Sequence, residues 1–481
     1  MEGNVAAIDG VRAVSTLSMV ALHTVMLSTM HTTLGTREWT GYVHNSIYGL
    51  STMAGFQVDA LLVLSGLLLG LKLRRRLLAS AGKTPSITSG ISQYAISRAI
   101  RLWPVILFNI AFMYAIGDSL LQKDFKIIAS AFLQCLTFTS NYADVLKYGS
   151  LTNTVMWSVC ADYQIGLVLV ALLYTLRRVC KKDTTFLACV QAALLLLLMA
   201  SFAIRYALWD VSFGNEAVLG KYPHFGFFLT KASHGWIRDY LGFEIDLAGI
   251  VSPAVDLYSS AIHENSNLNA QAAIQATVMA RLYFPTHARF GAMVIGMLFA
   301  FFLADGQPTK GAKKNLIWRG LSMVCSSALG LWALGSLVAV SYNMSTAEEI
   351  DALPDQVQMF ITVAMRNVSS IAVGVILFLA INPPGSFLHS PPLALALGSR
   401  LWKPIAKLSY GINMVHIRIV LELTTKYVMP RGTLDHWYTL RLYSASVVAS
   451  VTLAFLVSRL WEGLLHRLMG RLWQPTHLKV A

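Results

Sequence analysis

A chain of 481 residues that is 55% hydrophobic and only 13% charged is not an ordinary soluble domain, which carries about twice that charged fraction. A net charge of +14, from 38 Lys and Arg against 24 Asp and Glu, would point to nucleic acid in a soluble protein. Here the basic residues gather in loops between apolar blocks, so the positive-inside rule accounts for them and no nucleic-acid partner is expected.

Mean hydropathy is +0.57. The apolar blocks are about 18–25 residues long, the spacing a bilayer imposes. No strand–turn alternation suggests a barrel. The predicted fold class is therefore all-α, a polytopic transmembrane helix bundle surrounded by membrane lipids. The five cysteines, at 135, 160, 180, 189 and 325, lack the spacing of a disulfide framework or zinc site, and no metal is expected. The first apolar run is too long for a cleavable signal and lacks a small-residue cleavage site.

In chain order the blocks lie at roughly 7–29, 49–71, 98–117, 126–139, 155–176, 185–209, 288–304, 316–341, 358–381, 404–425 and 438–462. Basic clusters follow the second block (Lys72–Arg76), the fifth (Arg177–Lys182) and the seventh (Lys310, Lys313, Lys314, Arg319). Others precede the tenth (Arg400, Lys403, Lys407) and mark the tail. If every block crossed, the first two clusters would fall on opposite sides. If 126–139 does not cross, all of them share one side with both termini. The expectation is about ten spans plus one short re-entrant or interfacial segment, with both termini cytosolic. It divides the chain into a first membrane half at 1–209, an extracytosolic loop or small cap at 210–286, and a second half with a short tail at 287–481. The acidic loop Ala347–Asp355 and a weak glycosylation sequon at Asn343 would then also lie outside.

Ionisable residues inside a span cost several kcal/mol and by default mark a site or a buried pair. The first span, IDGVRAVSTLSMVALH, opens with Asp9 and Arg12 and closes on His23. Eleven helical residues put Arg12 and His23 about 20° apart around the axis and ~16 Å apart along it, on one face at different depths. Asp9 lies one turn before Arg12 and can pair with it. In the second block Asp59 shares a face with Gly66, and Gly66 with Gly70 makes a close-approach surface. The third is announced by SRAIRLWP, with Arg98 and Arg101 one turn apart and Pro104 expected near the helix start. MWSVCADYQ places Asp162 about two turns into the fifth block, and SYGINMVHIR places His416 near the middle of the tenth.

By depth, Arg12, Arg98 and Arg101 form an inner cluster suited to a polyphosphate, because guanidinium forks match phosphate oxygens. His23, Asp59 and Asp162 lie toward the outer side, where an imidazole beside a carboxylate suits proton transfer. Plainer readings stand beside these. A lone buried His such as His416 is ordinarily a packing residue, and Arg74–Arg76 fit a topogenic run satisfied by lipid headgroups. Cys160 reads as a small apolar residue.

Five stretches in this order resemble motifs of the acyltransferase-3 family of integral membrane O-acyltransferases. They are IDGVRAVSTLSMVALH, DALLVLSGLLLG, SRAIRLWP, MWSVCADYQIGL and LSYGINMVHIRIV. Asp59 and the FPTHARFGAMVIGMLFA stretch resemble its nose-resistant-to-fluoxetine-like branch, without that branch's cysteine-bearing region before the first span. The sequence departs from the family pattern at Asp162, where Glu is usual, at Cys160, where Ser is usual, and at Ile417, where Pro is common.

The resemblance implies a membrane O-acyltransferase moving an acyl group, acetyl in the first instance, from cytosolic acyl-CoA to a hydroxyl-bearing sugar, glycan or lipid. It implies His23 as base, with Asp59 and Asp162 as catalytic companions. It also implies Arg12, Arg98 and Arg101 at the acyl-CoA donor, and Trp157, Tyr163 and His416 as substrate contacts. From the residues alone, a proton-coupled transporter of an anionic solute or a lipid-handling protein without turnover remains open.

Overall fold

The computed structural model describes residues 2–30, 57–79, 86–115, 132–142, 151–212, 286–303, 324–337, 355–383, 388–427 and 436–462. The regular elements among them are all helical. They are α1 (Glu2–Met30), α2 (Gln57–Ala79), α3 (Ile87–Ala115), α4 (Leu151–Val179), α5 (Asp183–Ser212) and α6 (Thr286–Phe302). Then come α7 (Val324–Leu337), α8 (Asp355–Ile381), the short α9 (Pro391–Leu397), α10 (Trp402–Tyr427) and α11 (His436–Leu456). A 3-10 turn at Ser140–Tyr142 and a π-helical turn at Val457–Glu462 complete the set.

Among the described residues, stretches of five helices are long and apolar enough to cross a membrane: Ile87–Phe112, Met156–Val179, Asp183–Tyr206, Val363–Ile381 and Trp437–Trp461. The chain is an integral membrane helix bundle. Helices α1, α2 and α10 are of similar length but less uniformly apolar, and they bury much of their length inside the bundle. Nearly all of the 210–286 stretch, Asn343 and most of the 347–355 loop lie outside the described residues.

Local chemistry sets several helix ends. Ser86, just before α3, accepts a bond from the Ser89 N–H at 3.3 Å, satisfying one of the orphan donors of the first turn. At the α4–α5 turn, Arg177 Nη2 lies 2.7 Å from Asp183 Oδ1 and its guanidinium sits 5.3 Å from the Phe186 ring. Prolines open α9 after Ser390 and Gly398 closes it.

Two sequence-based boundaries change. The KLRRR run is helical, because Leu73 and Leu77 continue the buried face of α2 beyond the apolar block. Arg74 is buried there and donates to the carbonyls of Ala300 at 3.2 Å and Leu303 at 2.5 Å, capping the end of α6. Pro104 lies inside α3 rather than at its start, since α3 begins eleven residues before the expected apolar block. Its missing N–H is confined to one rung of a helix held on both sides: Trp461 Nε1 donates to the Pro104 carbonyl at 2.7 Å, and Tyr410 Oη to the Leu102 carbonyl at 3.3 Å.

The closest helix contact is α2 on α6. A Cβ at Gly66 would collide with the Met293 carbonyl, and one at Gly296 with the Val63 carbonyl. Two backbones therefore touch where only glycine leaves room. The neighbours advance together along both helices, Asp59 with Arg289, Gly66 with Met293 and Arg74 with Ala300, so α2 and α6 run parallel. By contrast α3 and α4 are antiparallel: Tyr94 lies against Gly166 and, one turn on, Arg98 meets Asp162.

A full crossing between α3 and α4 would have made them parallel. The described part of the intervening apolar block is a helical stretch at 132–136, a turn with Phe138 at φ 55° and the 3-10 turn, its Cys135, Phe138, Ser140 and Asn141 buried.

Candidate functional site

His23 and His416 face each other across the α1–α10 contact. His416 is fully buried, and its Nδ1 faces the carbonyls of Asn413 at 2.9 Å and Ile412 at 3.1 Å. Carbonyls only accept, so Nδ1 is assigned the proton and Nε2 is left as an acceptor. His23 Nδ1, which also faces the Met19 carbonyl at 3.1 Å, donates to that Nε2 at 2.9 Å. The bonding leaves His23 Nε2 as its basic nitrogen. The ring centroids are 4.9 Å apart.

At the other end of α1, Arg12 Nη1 lies 3.6 Å from Asp9 Oδ1, the expected pair one helical turn apart. Arg98 and Arg101 are near enough for their charges to act on Arg12. Arg101 is exposed, whereas Arg98 Nη2 is bonded to Asp162 Oδ2 and donates to Ser65 Oγ at 3.1 Å. The three arginines are thus gathered, and Asp162 holds one of them rather than His23.

Asp59 lies in a separate buried knot. It receives Arg289 Nη1 at 2.8 and 2.9 Å and Arg366 Nη1 at 2.9 Å. Arg205 stands beside them, donating to the backbone of Val363 at 3.0 Å and Ala288 at 3.1 Å. The Arg289 guanidinium sits 4.9 Å over the Trp157 ring, and Trp157 packs on Met19 and Val58. The knot and His23 are therefore linked through Trp157 and Met19, with no direct bond from Asp59 to the imidazole among the described residues. Arg205, Arg289 and Arg366 belong to none of the five motifs above, although each is an arginine inside an apolar block.

Tyr163 stacks on Phe138 with centroids 4.0 Å apart. Gln164 Nε2 donates to the Phe138 carbonyl at 2.5 Å and to Asn141 Oδ1 at 3.1 Å; Thr286 Oγ1 donates to Gln164 Oε1, and Asn141 Nδ2 donates to Thr286 Oγ1 at 2.8 Å. These amides hold the 132–142 segment between α4 and the start of α6. Cys160 is buried with its sulfur 3.1 Å from Ser140 Oγ, as a packing residue of this contact. Among the described residues no three His, Cys, Asp or Glu side chains gather as a metal site requires.

Neither comparison with characterised proteins nor comparison with solved structures returns a match to the chain. A family model does match: the acyltransferase-3 model, described as an acyltransferase domain, aligns with residues 5–459. That range holds all but the first three residues of α1 and all of α2 through α11, with both histidines and all the arginines above, and the chain belongs to the acyltransferase-3 family of membrane acyltransferases.

Proposed function

We propose that the protein transfers an acyl group, acetyl in the first instance, from cytosolic acyl-CoA to a hydroxyl of an acceptor in the membrane or on its far side. The observation that carries this reading is the His23–His416 contact, which leaves one basic imidazole nitrogen on a helix whose other end holds Arg12 among Arg98 and Arg101. Phosphates would dock at the arginines. The ~16 Å from Arg12 to His23 along α1 then suits an extended thioester arm.

His23 Nε2 takes the proton of the acceptor hydroxyl as its oxygen attacks the thioester carbonyl. The tetrahedral adduct collapses, the carbon–sulfur bond breaks, and the leaving thiolate takes the proton back from His23. His416 holds the His23 tautomer through this cycle, and it shares the positive charge when His23 is protonated. Asp162 positions Arg98, while Asp59 organises Arg289 and Arg366 beside Trp157. The even number of crossings predicted from the basic clusters puts both termini on the cytosolic side, in keeping with the antiparallel α3 and α4.

The test supplies acetyl-labelled acetyl-CoA to membranes containing the protein. Label appearing in an ester, and lost with His23→Ala, is expected. Transfer by that variant at the wild-type rate, or label that only accumulates inside vesicles unchanged, overturns the reading.

A further inference from the structure

Three polar atoms beside the Arg98–Asp162 pair are buried and have no hydrogen-bond partner among the described residues: Arg98 Nε, Asp162 Oδ1 and Tyr94 Oη. They belong to one place. Tyr94 precedes Arg98 by one turn on α3, its hydroxyl lies against Gly166, and Gly166 follows Asp162 by one turn on α4. Arg98, Asp162 and Tyr163 are all within electrostatic reach of Tyr94. Asp162 is 8% exposed, too deep for bulk water to serve it freely. Buried donors and acceptors are ordinarily satisfied, and leaving one unmade is costly. Here two donors and an acceptor converge, since the guanidinium N–H only donates, the carboxylate only accepts and the hydroxyl can do either.

We infer that Tyr94, Arg98 and Asp162 form a station for a secondary amide on the arm of the acyl donor. The amide N–H donates to Asp162 Oδ1, and its carbonyl accepts from Arg98 Nε or Tyr94 Oη. The inference rests on the acyl-CoA reading above, whose arm carries such amides between phosphates and thioester. Placement favours the donor over the acceptor. Arg98 is near enough to Arg12 for the two charges to interact, at the arginine end of α1. A hydroxyl about to be acylated has to reach His23; an amide midway along the arm does not. Gly166 is part of the design, because a Cβ there would collide with the Tyr94 hydroxyl.

The experiment measures equilibrium binding to the purified full chain of three probes: CoA, pantetheine (amides without nucleotide) and adenosine 3′,5′-bisphosphate (phosphates without amides). Tyr94→Phe, which removes only a hydroxyl, is expected to weaken CoA about tenfold and pantetheine at least as much. Nucleotide binding stays at its wild-type value and doubles as the folding control. Wild-type CoA affinity in Tyr94→Phe, or equal weakening of all three probes, overturns the station and leaves the acyl-CoA reading standing. A wild-type chain that binds no CoA overturns that reading and the station with it.

Discussion

His416 Nε2 lies 2.9 Å from His23 Nδ1, and the Nδ1 of His416 is turned toward the carbonyls of its own helix. This arrangement is directional: it fixes which nitrogen of His23 is basic. Replacing His23 by Ala should lower acetyl transfer by roughly 10²–10⁴-fold, the range of general-base assistance. Replacing His416 by Ala should lower it at least about tenfold, because His23 is then free to adopt the other tautomer. CoA binding should persist in both. Initial rates and binding on the same preparations check the pair, and full activity in His416→Ala would remove it from the mechanism.

Asp59 compensates Arg289 and Arg366 inside the bundle. Asp59→Asn keeps the shape and removes the charge, so it should destabilise the protein by about 3–5 kcal/mol, as breaking a buried ion pair does. Thermal unfolding in detergent reads this directly. An unchanged melting temperature would mean that the carboxylate is not the group holding those arginines.

The α2–α6 contact makes a steric prediction. Gly66→Leu and Gly296→Leu each drive a side chain into the partner backbone, and packed interiors resist even small additions. Both variants should lose folded protein on size-exclusion chromatography. Gly335→Leu, where a Cβ meets nothing within 4 Å, should elute as the wild type does.

Arg74 and Arg75 are neighbours with different fates. Arg74 is buried on the carbonyls at the end of α6, while Arg75 is exposed. Arg74→Ala strands those carbonyls and should cost about 1–3 kcal/mol. Arg75→Ala should change the melting temperature little, as surface substitutions do. Equal effects would return Arg74 to the role of a topogenic charge.

Antiparallel α3 and α4 exclude an odd number of crossings between them. With the basic clusters expected on one side, tags at residue 2 and residue 481 should either both react or both be protected when an impermeant reagent is added to sealed membranes. Reaction of one and not the other would show an odd total number of spans.

Much of the helical frame was legible in composition, because hydrocarbon permits a spanning chain few solutions and one of them is an apolar helix of fixed length. Ten of the eleven apolar blocks are helices among the described residues. The same strictness made Arg12, His23, Asp59, Arg98, Asp162 and His416 visible as exceptions, and helical angle alone put Arg12 and His23 on one face. Gly66 and Gly70 announced a close approach but not its partner, since spacing says nothing of which helix arrives.

Pairing is what the chain's order withheld. Asp59 meets Arg289 and Arg366 across 230 and 307 residues, and His23 meets His416 across 393. Carboxylates that looked like companions of His23 are committed to arginines, because in a low-dielectric bundle a charge is held by whichever opposite charge packing delivers. Sequence by itself determined that this is a membrane helix bundle and which of its residues are too costly to be incidental. Only the tertiary structure decided which of them touch, and so which nitrogen of His23 is left basic.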